Sequence, residues 1–166
     1  MYAFSSFFLQ FLDKRGYDSV RGWTNKVDIF AYDILLVPVF LTDHWCMAKI
    51  DLRMKQIIFM DSMGSHNTEC PAKLLHYIRC EMKDKKKQHL NVEEWETKYI
   101  QDLPRQRNGS DCGMFALKFA EYGAQDAEMK FSQDDMPCFR VKMMSDILNA
   151  TISQRRTSIT PRSKSG

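Results

Sequence analysis

Cys112 stands in Asn108-Gly109-Ser110-Asp111-Cys112-Gly113-Met114-Phe115, a turn-forming stretch that feeds an apolar run. A cysteine there meets the unpaired N–H groups and positive end of a starting helix, which favour the nucleophilic thiolate. Gly113 lets a substrate backbone come close. A buried, inert cysteine at a helix start fits the same local sequence equally well. A nucleophilic thiol needs a base. His44, in Thr42-Asp43-His44-Trp45-Cys46, stands where a strand opens, and a ring at a strand end can face a cleft. Taken alone it also reads as a surface-loop histidine. Asp61 closes the apolar run Ile57 to Met60, and a hairpin that set it beside His44 would let it hold the imidazole in the useful tautomer. A turn-forming aspartate before Ser62-Met63-Gly64 is the simpler alternative. Gln106, shortly before Cys112, carries an amide donor suited to an oxyanion, and is otherwise an ordinary loop glutamine. Each reading is weak alone. Together they describe a nucleophile, a base, an orienting acid and an oxyanion donor.

Bringing those stretches together falls to the intervening elements. Ala3 to Leu12 is apolar at helical spacing and closes on Lys14, Arg15 and Gly16, which predicts a helix. Ile34 to Phe40 reads as a buried strand, with Pro38 marking an edge or bulge. Trp45 to Ile50 and Ile57 to Met60 read as two more, joined by a polar connection short enough for a hairpin. Thr68 and Pro71 open a helix that turns Leu74, Leu75 and Ile78 inward and ends in Lys83-Asp84-Lys85-Lys86-Lys87, read as a solvated helix end. Trp95 to Ile100 suits another strand. Ser110 to Tyr122 reads as a helix capped by Ser110 or Asp111, with Met114, Phe115, Leu117 and Phe119 in the core. Ser132 to Leu148 closes the series, Ser132 and Asp135 standing at capping-box spacing. Cys46 and Cys138 are expected in the core, and His66, His76 and His89 are expected to bind nothing. The pattern predicts an α+β domain with a small central sheet.

At 166 residues the length favours one domain, and 44% apolar with 27% charged residues excludes disordered and collagen-like classes. The longest apolar run, Ile34 to Leu41, is too short to cross a bilayer. Met1-Tyr2-Ala3-Phe4 lacks the basic region of a signal peptide, so a soluble intracellular protein is expected. The net charge of +3 comes from the end of the chain: Arg155, Arg156, Arg162 and Lys164 lie in a stretch without acids, and without them acids outnumber bases. A body spanning residues 1–150 and a disordered basic tail over 151–166 follow, and the body is not a nucleic-acid binder by charge. Five cysteines without a CxxC pair argue against a disulfide framework and a structural zinc site. No phosphate loop, HExxH or carboxylate-rich motif appears, so neither metal nor cofactor is expected.

With these motifs in place, the chain resembles the SUMO-specific cysteine proteases, the sentrin-specific (SENP/ULP-type) family. The resemblance is carried by Val27-Asp28-Ile29-Phe30, Asp33 to Pro38, His44-Trp45-Cys46, Asp61-Ser62-Met63-Gly64 and Asn108 to Phe115, in the order His, Asp, Gln, Cys. It extends from Tyr2-Ala3-Phe4 to Leu148, and Phe139-Arg140-Val141-Lys142-Met143 resembles the vertebrate branch. The resemblance implies a papain-like, ULP-type α+β fold with a small, mostly antiparallel central sheet flanked by helices. It implies that His44 is the general base, Asp61 its orienting acid, Cys112 the nucleophile and Gln106 the oxyanion donor. Trp45 would cover a narrow channel for the Gly-Gly terminus of SUMO. The implied activity is a thiol protease and isopeptidase cleaving after that terminus in precursors and conjugates, without metal or cofactor. The implied partners are SUMO and SUMO-conjugated proteins, met by a monomer in the nucleus and also the cytoplasm, with no membrane or nucleic acid involved. A catalytically impaired SUMO-binding fragment or regulator is the alternative, and a protease for another ubiquitin-like modifier a further one. The resemblance also implies a catalytic domain shortened at its N-terminus, without a helical segment, part of the SUMO surface and a second tryptophan opposite Trp45. Phe40 stands where relatives carry a histidine. Both departures are expected to weaken binding.

Overall fold

Runs of β-branched and aromatic residues build a five-stranded sheet, ordered β1 (Tyr2–Ala3), β2 (Ile34–Leu41), β3 (His44–Asp51), β4 (Gln56–Met60) and β5 (Glu96–Tyr99). The inner pairs β2–β3 and β3–β4 are antiparallel, and the short outer strands β1 and β5 add on parallel. The computed structural model describes residues 1–100 and 102–158. These form two compact units, Met1–Gln133 and a second that begins at Asp134.

In the first unit both faces of the sheet are covered, which is why β2 reads as an unbroken apolar run. Leu35, Val37, Val39, Cys46, Ala48, Ile50, Ile57 and Phe59 pack with Phe8 and Leu12 of helix α1 (Phe8–Arg15) and Leu74, Tyr77 and Ile78 of helix α2 (Glu69–Glu81). Each Val, Leu, Ile or Phe among them contributes roughly 1.5–3 kcal/mol by leaving water. Helix α3 (Cys112–Ala124) packs against β3, where a methyl on Gly123 would meet Lys49 Cδ at 3.6 Å and Met60 Cε at 3.9 Å. Pro38 pairs with Met47 on one side, while β1 covers only Leu35 and Leu36 on the other. At Pro38 the strand is therefore a free edge, and the missing N–H costs no ladder bond.

Several expectations need correction. The helix predicted over Ala3 to Leu12 starts only at Phe8, because Tyr2 and Ala3 form β1 and the Phe4 N–H donates to Leu36 O at 2.8 Å. Phe4 then stacks on Phe8 with ring centroids 4.0 Å apart, so strand pairing and aromatic burial override helical spacing. Thr68 sits at the start of α2 but its side chain does not cap it; Asn67 Oδ1 accepts the Cys70 N–H at 2.9 Å instead. The lysine run is more than a solvated end. It forms a π-turn, Met82–Lys86, in which Asp84 accepts two bonds from the Arg21 guanidinium, at 2.7 and 2.6 Å, and Lys86 reaches Asp28. These contacts pin the connection from Arg21 to Val27. Leu117 is 48% exposed rather than core, because it turns away from the face that buries Phe115 and Phe119.

The second unit is built on helix α4 (Met136–Ser158), with Pro137 in its first turn. The helix passes Leu148, where the sequence suggested an end. The expected tail is described only as far as Ser158, residues 159–166 lying outside the described residues. Cys138 is exposed, contrary to the expectation of a core cysteine. It lies about 200° round the helix from the buried Met136. No helix among the described residues is long and apolar enough to cross a membrane.

Candidate active site

A two-residue turn sets His44. Thr42 and Asp43 both take positive φ, 20° and 65°, the backbone that matches the twist of a tight hairpin, and Leu41 pairs directly with His44. On the other side Met60 pairs with Met47, so the chain leaving β4 runs alongside the opening of β3. Asp61 thereby lies against His44, with Oδ1 2.5 Å from Nε2. Asp61 is 2% exposed. Oδ1 also accepts the Met63 N–H at 2.8 Å, while Oδ2 accepts the Ser65 N–H at 3.0 Å and the Ser65 hydroxyl. Burial alone would raise the pKa of this carboxyl. The bonds from Ser65, His44 and the Met63 N–H outweigh it and hold the group below the ordinary carboxylate range. Against an ionised carboxylate Nε2 carries the proton, which leaves Nδ1 as the basic nitrogen of His44.

Cys46, two residues along β3, is fully buried behind this pair. Burial first, and then the charge of Asp61, push its thiol far above the usual range, and it is hydrogen-bonded to Asp61. His44, Cys46 and Asp61 bring their donor atoms within 4.8 Å of one another, a grouping of metal-ligand types hidden by their sequence spacing. Those atoms are engaged with each other. Cys46 is a protonated neighbour of the pair, which separates it from Cys112.

Cys112 is the first residue of α3 and is 8% exposed. Asp111 takes the N-cap position, but its carboxylate accepts Asn108 Nδ2 at 2.7 Å and Gln133 Nε2 at 2.6 Å instead of capping the helix. Asn108 Oδ1 in turn accepts the N–H groups of Ser110 and Asp111, at 3.1 and 3.0 Å, and so fixes the turn. The expected cap by Asp111 is thus replaced by a loop clasp. The opening N–H groups of α3 keep their partial positive charge beside the Cys112 thiol. Trp45 bridges the two halves. Its ring lies 4.7 Å from that of Phe40, its cross-strand partner, and its Cδ1 lies 4.0 Å from where a Cβ on Gly113 would sit.

Gln106 is held between the turn after β4 and the turn before α3. Its N–H donates to Ser62 O at 3.0 Å, the Ser62 hydroxyl donates to its Oε1 at 2.6 Å, and its Nε2 donates to Asn108 O at 2.6 Å. Ser62, Met63, Gln106, Asn108 and Gly109 line an open groove there. Of the other histidines, His66 meets the Tyr99 ring edge-on in a small cleft that Asp61 and Ser65 also line, and His76 bonds Arg79. Sequence reasoning missed Ser62, Ser65 and Asn108. Their signal was only that small polar residues flank Asp61 and Cys112, which ordinary turns also show.

Comparison with known proteins agrees with this architecture. Residues 1–155 match the model of the Ulp1 protease family, C-terminal catalytic domain. The chain is 45% identical over 149 residues to a Caenorhabditis elegans sentrin-specific protease, and 40% identical over 151 residues to human sentrin-specific protease 2. Each match covers 90% of this chain but only 21% and 26% of those relatives, so the chain spans about a quarter of their length or less. Among solved structures, the C-terminal Ulp1 protease domain in complex with Smt3, the yeast ortholog of SUMO, superposes with a TM-score of 0.72 at 32% identity. That match covers 83% of this chain and 63% of the Ulp1 chain. SUMO protease Ulp1 with its catalytic cysteine oxidised to a sulfonic acid gives a TM-score of 0.74 at 32% identity, over 83% of this chain and 64% of that one. On the match across residues 1–155, the chain belongs to the Ulp1 protease family, in its C-terminal catalytic domain.

Proposed function

We propose that this chain is a thiol protease and isopeptidase that cleaves after the C-terminal Gly-Gly of SUMO, in precursors and in conjugates. The observation that carries the reading is the clamping of His44 Nε2 by buried Asp61 at 2.5 Å, with Cys112 heading a helix whose first N–H groups are not capped by its own N-cap side chain. The likeness to Ulp1, solved with Smt3, and to sentrin-specific proteases supports the choice of substrate.

In this reaction Cys112 passes its proton to His44 Nδ1 and the thiolate attacks the carbonyl carbon of the last glycine. The oxyanion that forms takes N–H bonds from Gln106 Nε2 and the backbone of Cys112. His44 then protonates the departing amine, the C–N bond breaks, and a thioester to Cys112 remains. Water, losing a proton to His44, attacks the thioester, and the C–S bond breaks to release the carboxylate. Asp61 keeps the imidazole oriented and stabilises its charged form. Trp45 covers the glycines: residues without side chains fit under an indole laid close to Gly113, and larger ones do not. A monomeric enzyme with a nuclear location, favoured by the basic residues Arg155, Arg156, Arg162 and Lys164, belongs to the same proposal.

The test is hydrolysis of SUMO carrying a fluorogenic amide at its C-terminus, with the ubiquitin analogue alongside. Cys112→Ser and His44→Ala are expected to lose nearly all turnover, and His76→Ala to keep it. Turnover by Cys112→Ser at the parent rate, or faster cleavage of the ubiquitin amide, would overturn the assignment.

A further inference from the structure

Ser62 follows Asp61 directly, yet its side chain serves a different partner. It is 1% exposed, and its hydroxyl donates to Gln106 Oε1 at 2.6 Å. The backbone repeats the link, the Gln106 N–H donating to Ser62 O at 3.0 Å. A glutamine amide has two faces, and which one points at a cleft depends on its hydrogen bonds. The Asn108 carbonyl can only accept, so it takes the amide nitrogen and leaves the oxygen toward Ser62, whose hydroxyl donates to it and anchors that end. The nitrogen then faces the other way, where one of its protons goes to Asn108 O at 2.6 Å in the turn leading to Cys112. The second proton has no partner among the described residues.

We infer that Ser62 is a positioning residue of the cleavage reaction: its buried hydroxyl anchors the oxygen end of the Gln106 amide, whose flip the Asn108 carbonyl sets, so that an N–H is held toward the oxyanion. Asp61 and Ser62 then form one two-residue device. Asp61 orients the base and Ser62 anchors the oxyanion donor, so the turn after β4 holds both groups in fixed register. The inference rests on the protease reading, in which Gln106 donates to the oxyanion.

Without the hydroxyl the amide loses one of its two anchors, and its N–H is no longer held on the developing negative charge. Ser62→Ala is expected to lower kcat about tenfold, the worth of one buried hydrogen bond expressed as rate, and to leave KM unchanged. Gln106→Ala is expected to lower kcat about 10²-fold. Because Ser62 acts through Gln106, Ser62→Ala made in the Gln106→Ala background should cost nothing more. The pH profile of the residual activity should keep the parent's shape, since the His44–Asp61 pair is untouched.

The experiment measures kcat, KM and thermal unfolding for the parent, both single variants and the double variant on the fluorogenic SUMO amide. A kcat loss on Ser62→Ala that disappears in the Gln106→Ala background supports the inference. Ser62→Ala at the parent rate beside a slow Gln106→Ala overturns it while sparing the protease reading. Equal losses in both backgrounds, or a loss confined to KM or accompanied by a shifted pH profile, also overturn it. Gln106→Ala at the parent rate would remove the oxyanion role and this inference together.

Discussion

Replacing Asp61 by asparagine removes one charge and turns one of two accepting oxygens into a donor, and the surrounding bonds decide which. If the amide nitrogen took the place of Oδ1, it would face two donors, His44 Nε2–H and the Met63 N–H. If it took the place of Oδ2, it would face the Ser65 N–H and the Ser65 hydroxyl, and a hydroxyl can turn round to accept. The second arrangement takes the acceptor from the Ser65 N–H, on an exposed residue that water can reach, so it costs less in stability than the about 1–3 kcal/mol of a buried group. It also keeps His44 in the tautomer with the proton on Nε2. The rate loss is then limited to the charge that steadied the imidazolium. A hydrogen bond to a charged group contributes about 1.5–3 kcal/mol, which corresponds to a kcat loss of roughly 10- to 10²-fold. Forcing the wrong tautomer costs about 10⁴-fold in serine triads, so the two arrangements differ measurably. Steady-state hydrolysis of a fluorogenic SUMO amide, with denaturant unfolding on the same samples, gives both numbers. A loss near 10⁴-fold would refute the predicted orientation of the amide, and no loss would refute the role of Asp61 altogether.

Further outcomes follow from neighbouring groups. Trp45→Ala removes the indole that meets Phe40 and Gly113; it should lower kcat/KM at least about tenfold, while the lost ring contact costs about 0.5–1.5 kcal/mol, and a parent-like kcat/KM would argue against a channel cover. Acid should weaken the fold through Asp61. Its folded pKa lies below the ordinary carboxylate value, so the stability it contributes is fully present above about pH 4 and is lost as pH falls through the folded pKa. Denaturant unfolding between about pH 2 and 7 should therefore show a shallower acid-side decline for Asp61→Asn than for the parent, and identical slopes would place the dependence elsewhere.

The sequence made some of this legible and hid the rest for physical reasons. The strands around His44 and Asp61 could be read because a two-sided apolar run and two short partners leave few ways to pair, and the hairpin register follows from the turn. The short strand Tyr2–Ala3 could not, since it depends on Leu35 and Leu36, far outside the window in which periodicity is judged, while the Phe4–Phe8 contact inside that window has helical spacing. Leu117 and Cys138 were misread because an apolar residue in a helix is assigned to the core before its angle to the buried face is known. Asp111 illustrates a different limit. Its position at the helix start was legible, but the partners that take its carboxylate, Asn108 and Gln133, come from a loop geometry that no local pattern encodes. Ser62 and Gln106 are joined only by the folded chain, which brings the turn after β4 against the approach to α3.

Covalent capture by SUMO bearing a C-terminal vinyl sulfone tests the central claim most directly. The Cys112 thiolate must add to the vinyl carbon from within an assembled cleft, so adduct formation reports nucleophile, base and glycine channel at once. The account predicts a single adduct with the SUMO probe, absent in Cys112→Ser and absent with the ubiquitin probe. A folded chain that forms no SUMO adduct, or one that is labelled equally after Cys112→Ser, would contradict it.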